Sequence, residues 1–253
     1  MKKITYDIEY NLERTHWWFT GRRSLLGALL SSLKIDKNSL AVDVGCGVGS
    51  NILLLNSLGF RVVGVDSEIY GLSLAQKNLP KVPLVNADLM MLPFKTNSIG
   101  LILALDVLEH LDEDLIGIKE VYRTLKPGGK VIFTAPAFRF LWGIQDEVGM
   151  HKRRYLKKEL NRKVKDQGFR VLKSSYFNFF LFFPILIARR IIRGLGLRIE
   201  SENEINFPLV NFFLKAIFSL EPYMLKYFSF PFGVSIFCIA KKRGNFADHS
   251  SHF

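Results

Sequence analysis

The stretch VDVGCGVGS, residues 42–50, sets three glycines directly after an apolar run and directly before a helical pattern. Glycine permits positive φ angles and lets a ligand approach bare backbone, while the N-terminus of the following helix offers unpaired N–H groups. By itself a G-x-G-x-G run is a weak signal, but two acids refine it. Asp66 closes the next apolar run about 20 residues on, where a carboxylate can accept hydrogen bonds from both hydroxyls of a ribose. Asp43 precedes the glycines, and Ser50 stands where G-x-G-x-x-G would have its third glycine. An acid there suits a cationic ligand better than a diphosphate.

Two other places hold groups that can move protons. DVLEHL sets Glu109 and His110 just past an apolar run, and GMHKRRY sets His151 beside Lys152, Arg153 and Arg154. Imidazole, with a pKa near 6.5, is the usual base at neutral pH. The cations around His151 would lower its pKa and could hold an anionic substrate. The plain alternatives are a helix start or hydrogen-bonded scaffold for the first pair and a surface turn for the second. Cys46 and Cys238 lie far apart without metal-ligand spacing, so neither a disulfide framework nor a zinc site is expected.

Elements that could position these groups alternate along the chain. LAVDV (40–44), RVVGVD (61–66), VPLVNAD (82–88), IGLILALD (99–106) and GKVIFTAP (129–136) are short, apolar and rich in Val or Ile, as suits strands buried on both faces of a parallel sheet. Helical patterns occupy 50–58, 69–78 and 112–125, and an earlier one places Leu25, Leu26, Leu29, Leu30 and Leu33 on one face. Such alternation argues for right-handed crossovers and an open doubly wound α/β sheet. Beyond Pro136 a basic helix is expected over 156–166, then strands at GFRVLKSSYF (168–177) and GVSIFCIAKK (233–242).

Five motifs in order between about 40 and 136 resemble the class I S-adenosylmethionine-dependent methyltransferases: AVDVGCGVGS, VVGVDSE, NADLMMLPF, LALDVLEHL and LKPGGKVIF. The resemblance implies a Rossmann-like fold, a seven-stranded mostly parallel sheet with an antiparallel last strand, and S-adenosylmethionine as cofactor. It implies that Gly45, Cys46 and Gly47 meet the methionine part by backbone, with Asp43 near its amino group and Leu105 at the end of strand four. Asp66 and Ser67 would serve the ribose, and Asp88 and Leu89 the adenine. Asp88 as a simple turn cap stays open.

The family's reaction centre lies past strand four, which makes Glu109 and His110 catalytic candidates, with His151 as a second base. In ubiquinone-pathway O-methyltransferases a similar acid-x-x-Glu-His stretch is associated with a divalent cation, and Asp106, Glu109 and His110 match it; no metal is expected here. HWWFTGRR together with PAFRFLWGIQDEVGMHKRRYLKKEL resembles a bacterial subgroup, which implies that His16, Trp17, Trp18 and Arg22 form a lid over the cofactor. Packing of an N-terminal helix is the alternative.

The 253 residues fit one domain over 1–243, with a lid over 1–36, a core over 37–176, a helical insertion over 177–230, a last strand over 231–243 and a polar tail over 244–253. The insertion is the unusual part. YFNFFLFFPILIARR (176–190) opens an apolar stretch too short to cross a bilayer as a helix, and a second spans 207–228. A short apolar helix ending in Arg189, Arg190 and Arg193 fits an interfacial anchor, and burial or a dimer contact fits equally. The net charge of +12, concentrated between Lys152 and Lys173, favours anionic partners or a solvated helix face. No secretory signal is expected, and the expected location is cytoplasmic, with the inner face of the membrane in view.

Together these readings predict methyl transfer, at oxygen, to a small-molecule or lipid-linked acceptor. A silent binding module and an RNA methyltransferase are the alternatives. Nucleic acid is disfavoured because no Asn/Asp-Pro-Pro-Tyr type motif follows strand four.

Overall fold

A computed structural model describes residues 3–195 and 207–244. Residues 245–253 of the expected tail lie outside the described residues. The seven strands are β1 (Leu40–Val44), β2 (Arg61–Asp66), β3 (Leu84–Asn86), β4 (Ile99–Leu105), β5 (Leu125–Pro136), β6 (Phe169–Phe177) and β7 (Ser235–Lys242). They form one sheet in the order β3-β2-β1-β4-β5-β7-β6. β1 to β5 pair in parallel, and β7 runs antiparallel to both neighbours. β7 slots between β5 and β6, leaving β6 rather than the last strand at the edge.

Continuous apolar runs become strands covered on both faces: all seven residues of β4 are buried, as are four of the five in β1. β3 is shorter than VPLVNAD suggests. Ala87 N–H turns to Asp66 O, and the Asp88 carboxylate accepts from Met90 N–H at 2.7 Å, capping a 3-10 turn where the strand would continue. Strand order reverses between β1 and β4, so their carboxyl ends flank the crevice where open α/β sheets bind ligands.

The helices are α1 (Lys3–Leu12), α2 (Trp17–Ser31), α3 (Ser50–Ser57), α4 (Ile69–Asn78), α5 (Asp114–Thr124), α6 (Ile144–Val148), α7 (Lys157–Asp166), α8 (Phe182–Gly194) and α9 (Pro208–Leu225). The last two fall between β6 and β7; α8 packs through Phe182 against Leu141 and Val234, and α9 docks on α2. Gly21 of α2 makes this possible, since a Cβ there would sit 2.3 Å from Phe218 Cδ1 of α9. Trp18 stacks on both Phe177 and Phe218, and Trp17 N–H donates to Asn211 Oδ1 at 2.6 Å. The HWWFTGRR segment thus packs a helix, as the alternative expected, and its His16, Trp17, Trp18 and Arg22 also line a cavity.

Glu221 anchors the start of the insertion. Its buried carboxylate accepts from the backbone N–H groups of Asn178, Phe179 and Phe180 at 2.6, 2.7 and 3.2 Å. Burial raises its pKa to about 7 in spite of these bonds. None of the helices among the described residues is long and apolar enough to cross a membrane.

Candidate active site

Two cavities open at the carboxyl ends of the central strands, sharing Gly45, Asp106 and His110. The first, of about 300 Å³, is lined by Asp66, Ser67, Asp88, Leu89, Met90 and Tyr6, among others. Asp66 is fixed by its own loop, accepting from Gly47 N–H at 2.8 Å and Glu68 N–H at 2.9 Å. Each carboxylate oxygen keeps further lone pairs for a diol. An acid beside a pocket with buried Leu89 suits a ribose carrying a flat base. Asp88 both caps its turn and lines this cavity.

The second cavity, about 320 Å³, begins at the glycine loop with Gly45, Cys46, Gly47 and Leu105 and continues past Glu109, His110 and His151. Gly45 has φ of +70°, and a Cβ on it would lie 2.3 Å from Val107 Cγ2, so only glycine fits between the β1 loop and the turn after β4. Asp43 lies beneath the loop, 1% exposed, with no partner for either carboxylate oxygen. Burial raises its pKa to about 7, opposed by Arg22 and reinforced by Asp66. Cys46 also faces this cavity, and burial pushes its thiol up.

Glu9 and Glu13 line the same end, missed by sequence reasoning. Burial pushes Glu9 to about 8, reinforced by Glu13, and Glu13 itself to about 7. Their i, i+4 spacing was the available signal, since it sets both carboxylates on one helix face. Three acids with raised pKa values near one loop make an environment for a cation.

The lid candidates His16, Trp17, Trp18 and Arg22 all line this cavity. His16 caps α2 by accepting from Trp18 N–H through Nδ1, so its Nε2 carries the proton and finds no partner. Desolvation lowers its pKa to about 4. Arg22 pairs with Asp106, whose other oxygen accepts from Thr134 Oγ1 at 3.1 Å. Asn178, buried at the β6 end with both side-chain polar atoms unpartnered, also faces the cavity; nothing in its sequence context signalled this.

Past β4, a 3-10 turn (Leu108–His110) brings Glu109 and His110 to His151, whose ring centroid lies 4.7 Å from that of His110. Burial, helped by His151, lowers the pKa of His110 to about 3. Glu109 is buried with neither oxygen partnered, and burial together with Asp106 holds it well above the carboxylate range. The three cations after His151, expected to hold an anion, are engaged inside the protein. Lys152 pairs with Asp112, Arg153 bonds the Leu111 and Asp112 carbonyls, and Arg154 grips Asp146 with two bonds of 2.8 Å.

The far wall of this cavity is apolar: Ile185, Ala188 and Ile192 of α8 with Val210 and Leu214 of α9. On α8 the opposite stripe, Phe183, Ile187, Ile191 and Leu195, is exposed, as are Leu209, Phe212, Phe213 and Tyr223 of α9. Arg189 donates to Leu141 O and Arg193 to Trp142 O at 2.8 Å, so two of the three arginines expected to meet headgroups bond to main chain.

Residues 42–133 match the family model described as a methyltransferase domain. Demethylmenaquinone methyltransferase of Staphylococcus carnosus is 30% identical over 114 residues, which cover 41% of this chain and 46% of that protein. The chain spans about half the length of the curated relatives it matches.

Among solved structures, phosphoethanolamine N-methyltransferase 2 of Haemonchus contortus in complex with S-adenosyl-L-methionine superposes with a TM-score of 0.59 at 20% identity, over 87% of this chain and 52% of that one. The cyclase SpnF does so with a TM-score of 0.59 at 20% identity, over 88% of this chain and 81% of that one. At such identities the likeness establishes the fold, which also carries a protein named for a different reaction. Residues 42–133 are thus a methyltransferase domain, and the strand order and glycine loop give the chain the Rossmann-like fold of the class I methyltransferases.

Proposed function

We propose that this chain transfers a methyl group from S-adenosylmethionine to an oxygen of a lipid-linked or other amphiphilic small-molecule acceptor, at the cytoplasmic face of a membrane. The observation that carries this reading is the larger cavity, polar at the glycine loop and apolar along α8 and α9, whose outer faces are apolar and exposed.

The residues fit the cofactor. Asp66 and Ser67 would hold its ribose, Asp88 and Leu89 its adenine, and Asp43, Gly45, Cys46, Gly47 and Leu105 its methionine part. The orphaned oxygens of Asp43 and the raised pKa values of Glu9 and Glu13 suit its positive charge. When bound, it supplies a methyl group on a cationic sulfur, open to in-line displacement by an aligned nucleophile.

The chain's own groups then have separable tasks. His16, Trp17, Trp18 and Arg22 wall the cavity, and α8 and α9 take the apolar part of the acceptor. Glu109, His110 and His151 receive its reactive oxygen. Of the two imidazoles, His110 holds a proton weakly. His151, oriented by Asp146 at 2.9 Å, is the group we assign to take the proton the nucleophile gives up.

A matching name among relatives, demethylmenaquinone methyltransferase, supports an apolar acceptor. The exposed Phe and Leu side chains of α8 and α9 would enter the headgroup boundary, with the excess positive charge adding attraction to anionic lipid. Flotation with vesicles of anionic lipid at low salt tests this part. Association that falls at least tenfold in Phe212→Glu/Phe213→Glu is expected, and a wild-type protein left at the bottom of the gradient would sink it.

A further inference from the structure

We propose that Glu109, His110 and His151 form a site for a divalent transition-metal cation, placed to hold the reactive oxygen of the acceptor. This rests on reading the larger cavity as the acceptor site.

The three side chains come from segments about 40 residues apart yet offer ligand atoms all within 4.8 Å of one another. Atoms bound about 2.1 Å from one ion stand about 3 to 3.5 Å apart, so side-chain rotations of roughly 1 Å complete the set.

His151 already has an outer partner of the kind found behind metal ligands. His151 Nδ1 meets Asp146 Oδ1 at 2.9 Å. A carboxylate partner on Nδ1 orients the ring and leaves Nε2 as the nitrogen to meet a cation. Arg154 and Gly143 N–H, the latter at 2.7 Å, lock Asp146 in turn.

Glu109 is an independent sign. It is 0% exposed, and neither carboxylate oxygen has a partner. Such a group is strongly unfavourable as an anion in a dry site unless a cation neutralises it. Asp106 is a poor third ligand because Arg22 and Thr134 occupy it, so the set differs from the Asp106, Glu109 and His110 pattern considered from sequence, where no metal was expected.

Two imidazole nitrogens and one carboxylate suit Zn²⁺, Mn²⁺, Fe²⁺ or Co²⁺ better than Mg²⁺ or Ca²⁺, which favour oxygen donors. Three protein ligands leave coordination positions open, and all three residues line the cavity. A cation there would supply Lewis acidity to an oxygen of the acceptor. With the cation bound the two imidazoles would serve as ligands, His151 in place of its role as base, and the proton of that oxygen would leave to solvent.

Chelator-stripped protein titrated calorimetrically with Zn²⁺, and separately with Mg²⁺, tests the site directly. One equivalent of Zn²⁺ is expected, with much weaker Mg²⁺ binding. Glu109→Gln and His151→Gln should each weaken Zn²⁺ binding at least tenfold, and Asp146→Asn about tenfold. S-adenosylmethionine binding, measured on the same samples, reports that each variant is folded. Wild-type protein that binds no stoichiometric Zn²⁺, or folded variants that bind it equally well, would overturn the site. Methyl transfer that persists after stripping would remove the metal's role and leave the proposed function standing. Zn²⁺ binding in a wild-type protein that takes no S-adenosylmethionine would support the site and refute the function.

Discussion

The glycine-loop end of the crevice and the α8–α9 end are built by different means. At the first, polar groups are fixed by backbone: Gly45 sits at φ +70° against Val107, and Asp66 is held by two amides of its own loop. At the second, apolar side chains pack inward through Phe218 while Phe212 and Phe213 remain 65% and 61% exposed. The first end follows from strand register in a buried sheet. The second depends on what lies against it. On the proposed function, recognition of the cofactor belongs to the first half and choice of acceptor to the second, whose outer apolar side chains are exposed among the described residues.

The largest effect should come from Asp66→Ala, which removes two charge-assisted hydrogen bonds to a diol and the brace on Gly47. Calorimetry should show S-adenosylmethionine affinity about 100-fold lower, about 2.7 kcal/mol; unchanged affinity would refute the ribose assignment. Next in size is Glu221→Ala, which strips three backbone N–H groups of their buried acceptor. A loss of about 2 kcal/mol and a fall in Tm of roughly 4–8 °C are expected. Cofactor affinity should stay within about threefold, and a parallel collapse of that affinity would show that the two ends are not separable.

The smallest effect is a pH dependence confined to the cofactor end. Burial raises Asp43 and Glu13 to about 7 and Glu9 to about 8, so all three bind protons at pH 6 that they have largely lost by pH 8.5. A cationic ligand favours the ionised forms. Its affinity should rise several-fold, about 1 kcal/mol, over that range, with protons released on binding. Without ligand the sign is opposite for stability. Raised carboxylates contribute most below the ordinary carboxylate range, near pH 4, and that contribution is lost as pH passes about 7 to 8. A cofactor affinity flat between pH 6 and 8.5 would remove the acids from the ligand's surroundings.

The parts legible in sequence were those governed by local pattern. Runs such as IGLILALD can bury both faces only inside a sheet, and the glycines of VDVGCGVGS meet a geometric demand at the loop. Glu9 and Glu13 escaped because the lid expectation rested on HWWFTGRR alone, and not on α1 that precedes it and brings both acids to the cavity. HKRRY misled for a related reason. Its cations resemble an anion site on paper, but Asp112, Asp114 and Asp146 reach them through tertiary placement that no spacing rule encodes. Asn178 and Glu221, 43 residues apart, find each other only because α9 folds back over the end of β6.

Transfer of a radiolabelled methyl group from S-adenosylmethionine to a total lipid extract tests the central claim most directly. The account predicts label in the organic-soluble fraction, lost in Asp66→Ala. Label confined to the aqueous fraction, or none in either, would contradict it.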